Sequence, residues 1–255
     1  MSVDQEQSGD AATSVTFEVR ERVALIRVRG SRLNVYQRKS HEQLCRAMLR
    51  FLRDDQLHAA VMTSGPGESW SAGDDIREFD QPFGDEPDWA EVLALTPRDK
   101  PVVAAVRGYC LGQGLSNLLK LTDLRYAAPD AIFGFPEIKF GVGGAGDASG
   151  LTRTMPASLA RYLCLTGENI DAETALRHHL INEVVSDADL EARALAVAAK
   201  IASHPLPALR AEMSPVARSL AGTNPYAQTA LFNIYWQAFE ASLKDKALGP
   251  SDWQG

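Results

Sequence analysis

Apolar and polar positions first mark out a mixed chain. Residues Val15–Arg20 and Arg22–Arg29 alternate or run apolar across a short polar break, which predicts a hairpin. From Gln37 to Leu52 the apolar residues Leu44, Ala47, Met48 and Phe51 recur every three or four positions, the signature of an amphipathic helix. A short strand follows at His58–Thr63, then a loop through SGPGESW. Asp75–Phe79 reads as a short helix with Asp75 as its cap. The acidic, proline-broken run FDQPFGDEPDW reads as an exposed, mobile segment. Pro101–Arg107 is apolar enough for a buried strand, Gly114–Leu121 is helical, Leu124–Ala127 returns to strand, and Ala131–Phe133 is extended.

Beyond Thr152 the pattern turns helical: Ser158–Leu165, Ala172–His179, Asp187–Ser203, Pro207–Leu220 and Pro225–Leu243, with Pro215 interrupting the fourth. Asn182–Val185 reads as the only strand among them. Strands separated by helices argue for βαβ units, covered at the end by helices that pack on the sheet or on a neighbouring subunit. The expected organisation is a disordered polar tail over 1–14, a core over 15–200 and a helical region over 201–255.

Composition narrows this picture. With 255 residues the chain can bury a substantial core, and a net charge of −7 gives a nucleic-acid role no electrostatic support. No apolar run reaches the roughly 18 residues of a membrane span, so no membrane partner is expected and the cytoplasm is the default compartment. The three cysteines, Cys45, Cys110 and Cys164, match neither zinc spacing nor a disulfide framework and read as free thiols in a reducing compartment. No metal site and no redox-cofactor motif is visible.

Candidate chemistry gathers at glycines. SAGDDI (Ser71–Ile76) and GYCLGQG (Gly108–Gly114) each sit where a strand passes into a helix, so each can aim a backbone N–H into a cleft. Two such groups on one carbonyl oxygen form an oxyanion hole. Taken singly, either is equally explained as a plain turn. A third stretch, EIKFGVGGAGDASG, separates Glu137 from Asp147 by four glycines, as in a surface loop or a backbone that approaches a ligand closely.

In this order, SAGDDI, PVVAAVRGYCLGQG, TDLRYAAPDAIFGFPEIKFGV, the glycine-rich loop, LTG and INEVV resemble the crotonase superfamily of enoyl-CoA hydratases and isomerases, over about residues 15–215. The resemblance implies an α/β fold, a spiral ββα core with a C-terminal helical trimerisation region, assembling as a homotrimer or a dimer of trimers. It implies a coenzyme A thioester as substrate and no separate cofactor. The oxyanion donors would be the backbone N–H groups of Asp74 and Gln113, where the family usually has a small or apolar residue and a glycine. Glu137 matches the catalytic glutamate of the PEI segment. The family's other glutamate falls at Ser116 counting from the glycines and at Asn117 counting back from Asp123; neither residue titrates near neutral pH. One carboxylate that shuttles a proton suffices to move a double bond and can also serve a hydration. Asp147 stands where the family usually has glycine, and is either the cap of the next helix or a stand-in for the missing acid. Leu33 and Asn34 resemble the segment whose backbone lines the adenine pocket, and Ala72, Asp75 and Ile76 fall in the same CoA cradle.

Overall fold

A computed structural model of the chain describes residues 12–78, 85–143, 147–210, 212 and 213, with the side chains of 147–149 excepted. Residues 1–11 of the expected tail, most of the segment over 79–89, and the helices expected beyond 213, with Pro215, lie outside the described residues; the end of that tail is ordered, with Thr13 buried and Ser14 opening the first strand.

The hairpin forms as read: β1 (Ser14–Arg20) pairs antiparallel with β2 (Val23–Arg29). Helix α1 (Arg38–Arg53) then crosses to β3 (Ala59–Ser64), which lies parallel to β2. After α2 (Trp89–Leu95) comes β4 (Val102–Val106), parallel to β3. The short β5 (Tyr109–Leu111) leads into α3 (Gln113–Leu121), and β6 (Leu124–Ala127) returns beside β4. The chain continues through β7 (Ile132–Gly134), α4 (Asp147–Thr154), α5 (Ala157–Thr166), β8 (Ile170–Asp171), α6 (Ala172–Arg177), β9 (Glu183–Val184) and α7 (Asp187–Ala202). Residues 206–210 are helical, as expected of the segment that opens near Pro207.

Six strands form the main sheet in the order β1-β2-β3-β4-β6-β9, and β5, β7 and β8 form a smaller one. Both faces of the main sheet are buried, which explains the nearly continuous apolar runs of β3 and β4. Ala60 and Met62 of β3, with Val102 and Ala104 of β4, face the core beneath α1 and α3. Their alternating neighbours Val61, Val103 and Ala105 face α7, which meets them with Leu190, Ala194, Ala198 and Ala202. That stripe recurs every four residues and is mostly alanine, so the helix lies close against the sheet.

Three expectations change. Asn182–Val185 is not the only strand late in the chain, because β8 precedes it. A two-residue strand carries no periodicity to read. Helix α2 was hidden by its acidic, proline-rich approach; Asp88 caps it, accepting from the N–H groups of Ala90 and Glu91. Asp75–Phe79 forms a single 3-10 turn, Ile76–Glu78, with Asp75 in the capping place.

Candidate active site

Three extended segments lie side by side. Ser71 bridges in parallel to Cys110, through Ser71 N–H to the Tyr109 carbonyl (2.9 Å) and Leu111 N–H to the Ser71 carbonyl (3.0 Å). Cys110 in turn pairs in parallel with Phe133 of β7. The register Ser71, Cys110, Phe133 carries all three segments in one direction. A few residues past each, at the carboxyl ends, stand Asp74, Gln113 and Glu137. Ligands of parallel sheets bind at that end, because the loops diverge there and helix starts point inward.

The backbone around the first two is fixed by glycine. Gly73 has φ +111°, and its carbonyl accepts from Tyr36 N–H (2.8 Å) while Asp75 N–H donates to the Tyr36 carbonyl (2.7 Å). This parallel bridge clamps the peptides on either side of Asp74, and its own N–H has no protein acceptor among the described residues. Gln113 opens α3 after Gly112 (φ 52°, ψ −124°), and as the first residue of a helix its N–H has no intrahelical acceptor. A side-chain carbon added at Gly73 would lie 3.8 Å from Gln113 N, so the two turns approach closely. Aspartate at 74 and glutamine at 113 thus each present a backbone N–H without a protein acceptor among the described residues.

Glu137 sits on a 3-10 turn, Pro136–Phe140, that proline opens and left-handed Gly141 (φ 73°) closes. The Glu137 carbonyl accepts from Gly141 and Val142 N–H groups, so the first glycine of the quoted run fixes the turn beneath the carboxylate. Glu137 is half-buried, with Oε2 shielded from solvent. Its Oε1 lies 3.0 Å from where a Cβ at Gly112 would be, which places the carboxylate against the start of α3.

At the position of the absent first glutamate, Ser116 and Asn117 are both buried. Asn117 Oδ1 accepts from Gln113 Nε2 (3.1 Å), one helical turn apart. Ser116 Oγ is buried with no hydrogen-bond partner among the described residues, and the buried Tyr36 hydroxyl faces the Asn117 side chain. Burial pushes the Tyr36 phenol well above its ordinary value and keeps the neighbouring Cys110 thiol protonated. The three cysteines are free, as expected from their spacing. Asp147 is the first residue of α4; its side chain lies outside the described residues, as does any cap it would form.

The expected CoA cradle divides by role. Leu33 accepts Ala72 N–H at its carbonyl (2.9 Å), tying the two segments together. Asn34 is left-handed (φ 46°) and fully buried, its Nδ2 donating to the Val28 and Ser69 carbonyls. That side chain braces the turn. Ile76 is 40% exposed beside this cradle. The buried Asp75 carboxylate is gripped by Arg77 through Nε (2.8 Å) and Nη2 (2.7 Å).

Hydrogen bonding from the Arg77 side chain is the main reason that the Asp75 carboxyl is held below the ordinary carboxylate range. Stability from this pair is therefore complete above the unfolded-state pKa and is lost as pH falls through the lower folded value. Asp75→Ala is expected to cost about 2 kcal/mol at pH 7. Urea unfolding should show the gap from wild type narrowing as the pH falls below the ordinary carboxylate range.

Sequence reasoning passed over one pair. His41 Nε2 and Asp74 Oδ1 are 2.7 Å apart, and the imidazole stacks on Tyr36 at 4.8 Å between centroids and 23° between planes. His41 lies on the buried face of α1 with Leu44, Cys45 and Met48. A polar residue in that stripe was the available signal.

Comparison with known proteins identifies the fold and the family. The enoyl-CoA hydratase/isomerase family profile matches residues 18–246. An (E)-benzylidenesuccinyl-CoA hydratase of Thauera aromatica is 34% identical over 203 residues, 74% of this chain and 76% of that protein. A carnitinyl-CoA dehydratase of Salmonella typhi is 33% identical over 165 residues; the match spans 62% of each protein. Among solved structures, a carnitinyl-CoA hydratase from Mycobacterium avium superposes with a TM-score of 0.79 at 27% identity, covering 93% of this chain and 98% of its own. A probable enoyl-CoA hydratase from Mycobacterium smegmatis gives 0.78 at 27% identity, covering 91% and 96%. With its parallel sheet, its paired glycine turns and the glutamate beside them, the chain belongs to the enoyl-CoA hydratase/isomerase family of the crotonase superfamily and is an acyl-CoA enzyme of that type.

Proposed function

We propose that the protein forms and quenches a thioester enolate, with Glu137 as its one proton-transferring carboxylate and the N–H groups of Asp74 and Gln113 as the oxyanion donors. The observation that carries this reading is the shared register of Ser71, Cys110 and Phe133, which delivers those three positions to one end of adjacent parallel segments. Two N–H groups without protein acceptors are suited to a thioester oxygen that gains charge in the transition state. The Glu137 carboxylate, against Gly112, is suited to exchange a proton at the carbon beside that carbonyl.

Ser116 and Asn117 supply no second carboxylate, so a hydration here would use Glu137 for both the water and the α-carbon, and an isomerisation would use it for both carbons. The relatives named hydratases and dehydratases favour addition or loss of water at an acyl-CoA double bond. The test is α-proton exchange in D2O, followed by mass spectrometry over saturated and unsaturated acyl-CoA thioesters. Deuterium uptake that depends on Glu137 is expected, and the best substrate then separates hydratase from isomerase. The missing carboxylate at 116–117 favours one alternative, an acyl-CoA-binding homologue without chemistry. Thermal stabilisation by thioesters with no exchange or turnover of any of them would establish that alternative instead.

A further inference from the structure

Asp74 presents a difficulty that its backbone alone does not solve. The residue whose N–H faces the thioester oxygen also carries a carboxylate, one Cα away. A carboxylate turned toward the oxyanion would set two like charges a few ångströms apart in a partly desolvated site. At an effective dielectric of about 20 and a separation of about 6 Å, such repulsion is worth roughly 100-fold in rate.

The fold gives that carboxylate a partner. His41 Nε2 meets Asp74 Oδ1 at 2.7 Å, and with the carboxylate ionised this nitrogen carries the hydrogen and donates it. The imidazole has little freedom: its side chain is 9% exposed, against 28% for Asp74. Tyr36 is 1% exposed and stacks on the ring, and its backbone is tied to Gly73 and Asp75 on both sides of Asp74. Among the described residues His41 Nδ1 is buried with no hydrogen-bond partner, so packing and Asp74 anchor the ring. The other acids of this turn are engaged separately, Asp75 by Arg77 and Glu78 by the Arg38 N–H.

We infer that His41 is a positioning residue that holds the Asp74 carboxylate away from the thioester oxygen, so that an acidic residue can serve as a backbone oxyanion donor. This rests on the enolate reading given above. His41 touches neither substrate nor reacting atoms; it acts through Asp74.

The test is a double-mutant cycle on acyl-CoA α-proton exchange, with circular dichroism as a check on folding. His41→Ala is expected to lower kcat about 10- to 100-fold with KM changed by less than about 3-fold, because the released carboxylate opposes charge that develops after binding. His41→Gln, whose amide can still donate, should keep most of the activity. In the Asp74→Asn background the same His41→Ala change should cost less than about 3-fold. If His41→Ala does not fold, His41→Asn, which is polar but too short to reach, carries the same expectation. An unaltered kcat in His41→Ala would overturn the inference, as would an equal loss with and without the Asp74 charge. Exchange in wild type that depends on Glu137 but ignores His41 would sink the inference and spare the enolate reading. A wild type inert toward every thioester would sink both.

Discussion

Glu137→Gln is expected to abolish α-proton exchange, lowering it by about 10³-fold or more while acyl-CoA affinity changes little. Glutamine keeps the size and planarity of the side chain but cannot accept a proton, and a positioned general base contributes about 10²- to 10⁴-fold. Among the described residues, the nearby carboxylates are otherwise engaged, Asp75 by Arg77 and Asp74 by His41, and Ser116 and Asn117 cannot titrate. The 3-10 turn is held by backbone bonds from Gly141 and Val142 to the Glu137 carbonyl, so the substitution leaves the scaffold intact. Mass-spectrometric deuterium uptake gives the rate, and calorimetric titration with a saturated acyl-CoA gives the affinity. Exchange persisting within about 10-fold of wild type would remove Glu137 from the role of base and direct attention to Asp147.

Gly114→Ala should injure the same chemistry from the opposite side. A Cβ there would lie 2.6 Å from the Ser71 carbonyl oxygen and 3.2 Å from the Ser71 carbonyl carbon, and backbone cannot swing aside as a flexible side chain does. That oxygen accepts Leu111 N–H, and Trp70 Nε1–H donates to the Gly114 carbonyl at 2.9 Å, so parting the two segments loosens both bonds. Overpacking of this kind costs about 1–3 kcal/mol, and at this chain length each kcal/mol lowers Tm by roughly 2–4 °C. The two N–H donors also move apart, and loss of one oxyanion donor costs about 10²- to 10³-fold in kcat. Gly143→Ala is the matched control for stability, since a Cβ at Gly143 meets nothing within 4 Å among the described residues. Equal melting temperatures for the two variants would contradict the packing argument.

What could be read in the sequence follows the range of the forces involved. The hairpin, α1, β3 and β4 are legible because each buries a periodic face, and burial writes its period into the residues. The glycine turns are legible because positive φ at Gly73 and Gly112 restricts which residues serve there. Strands β5 and β8 are not, being three and two residues long and defined only by their partners. Nor is the His41–Asp74 pair, whose members are 33 positions apart and meet through tertiary packing.

Helix α7 has a consequence for the protein during synthesis. Every element that frames the glycine turns and Glu137 leaves the ribosome before Leu190, yet Val61, Val103 and Ala105 have no cover on their side of the sheet until that helix arrives. The interval from β4 to α7 is roughly 80 residues, about 4–16 s at ordinary translation rates. A nascent chain stalled in that window carries a framed site on a sheet with one oily face open. A bulkier residue at Ala194 or Ala198, which would hold α7 off the sheet, is therefore expected to lower the yield of folded protein in a cell, as immunoblotting beside wild type would check.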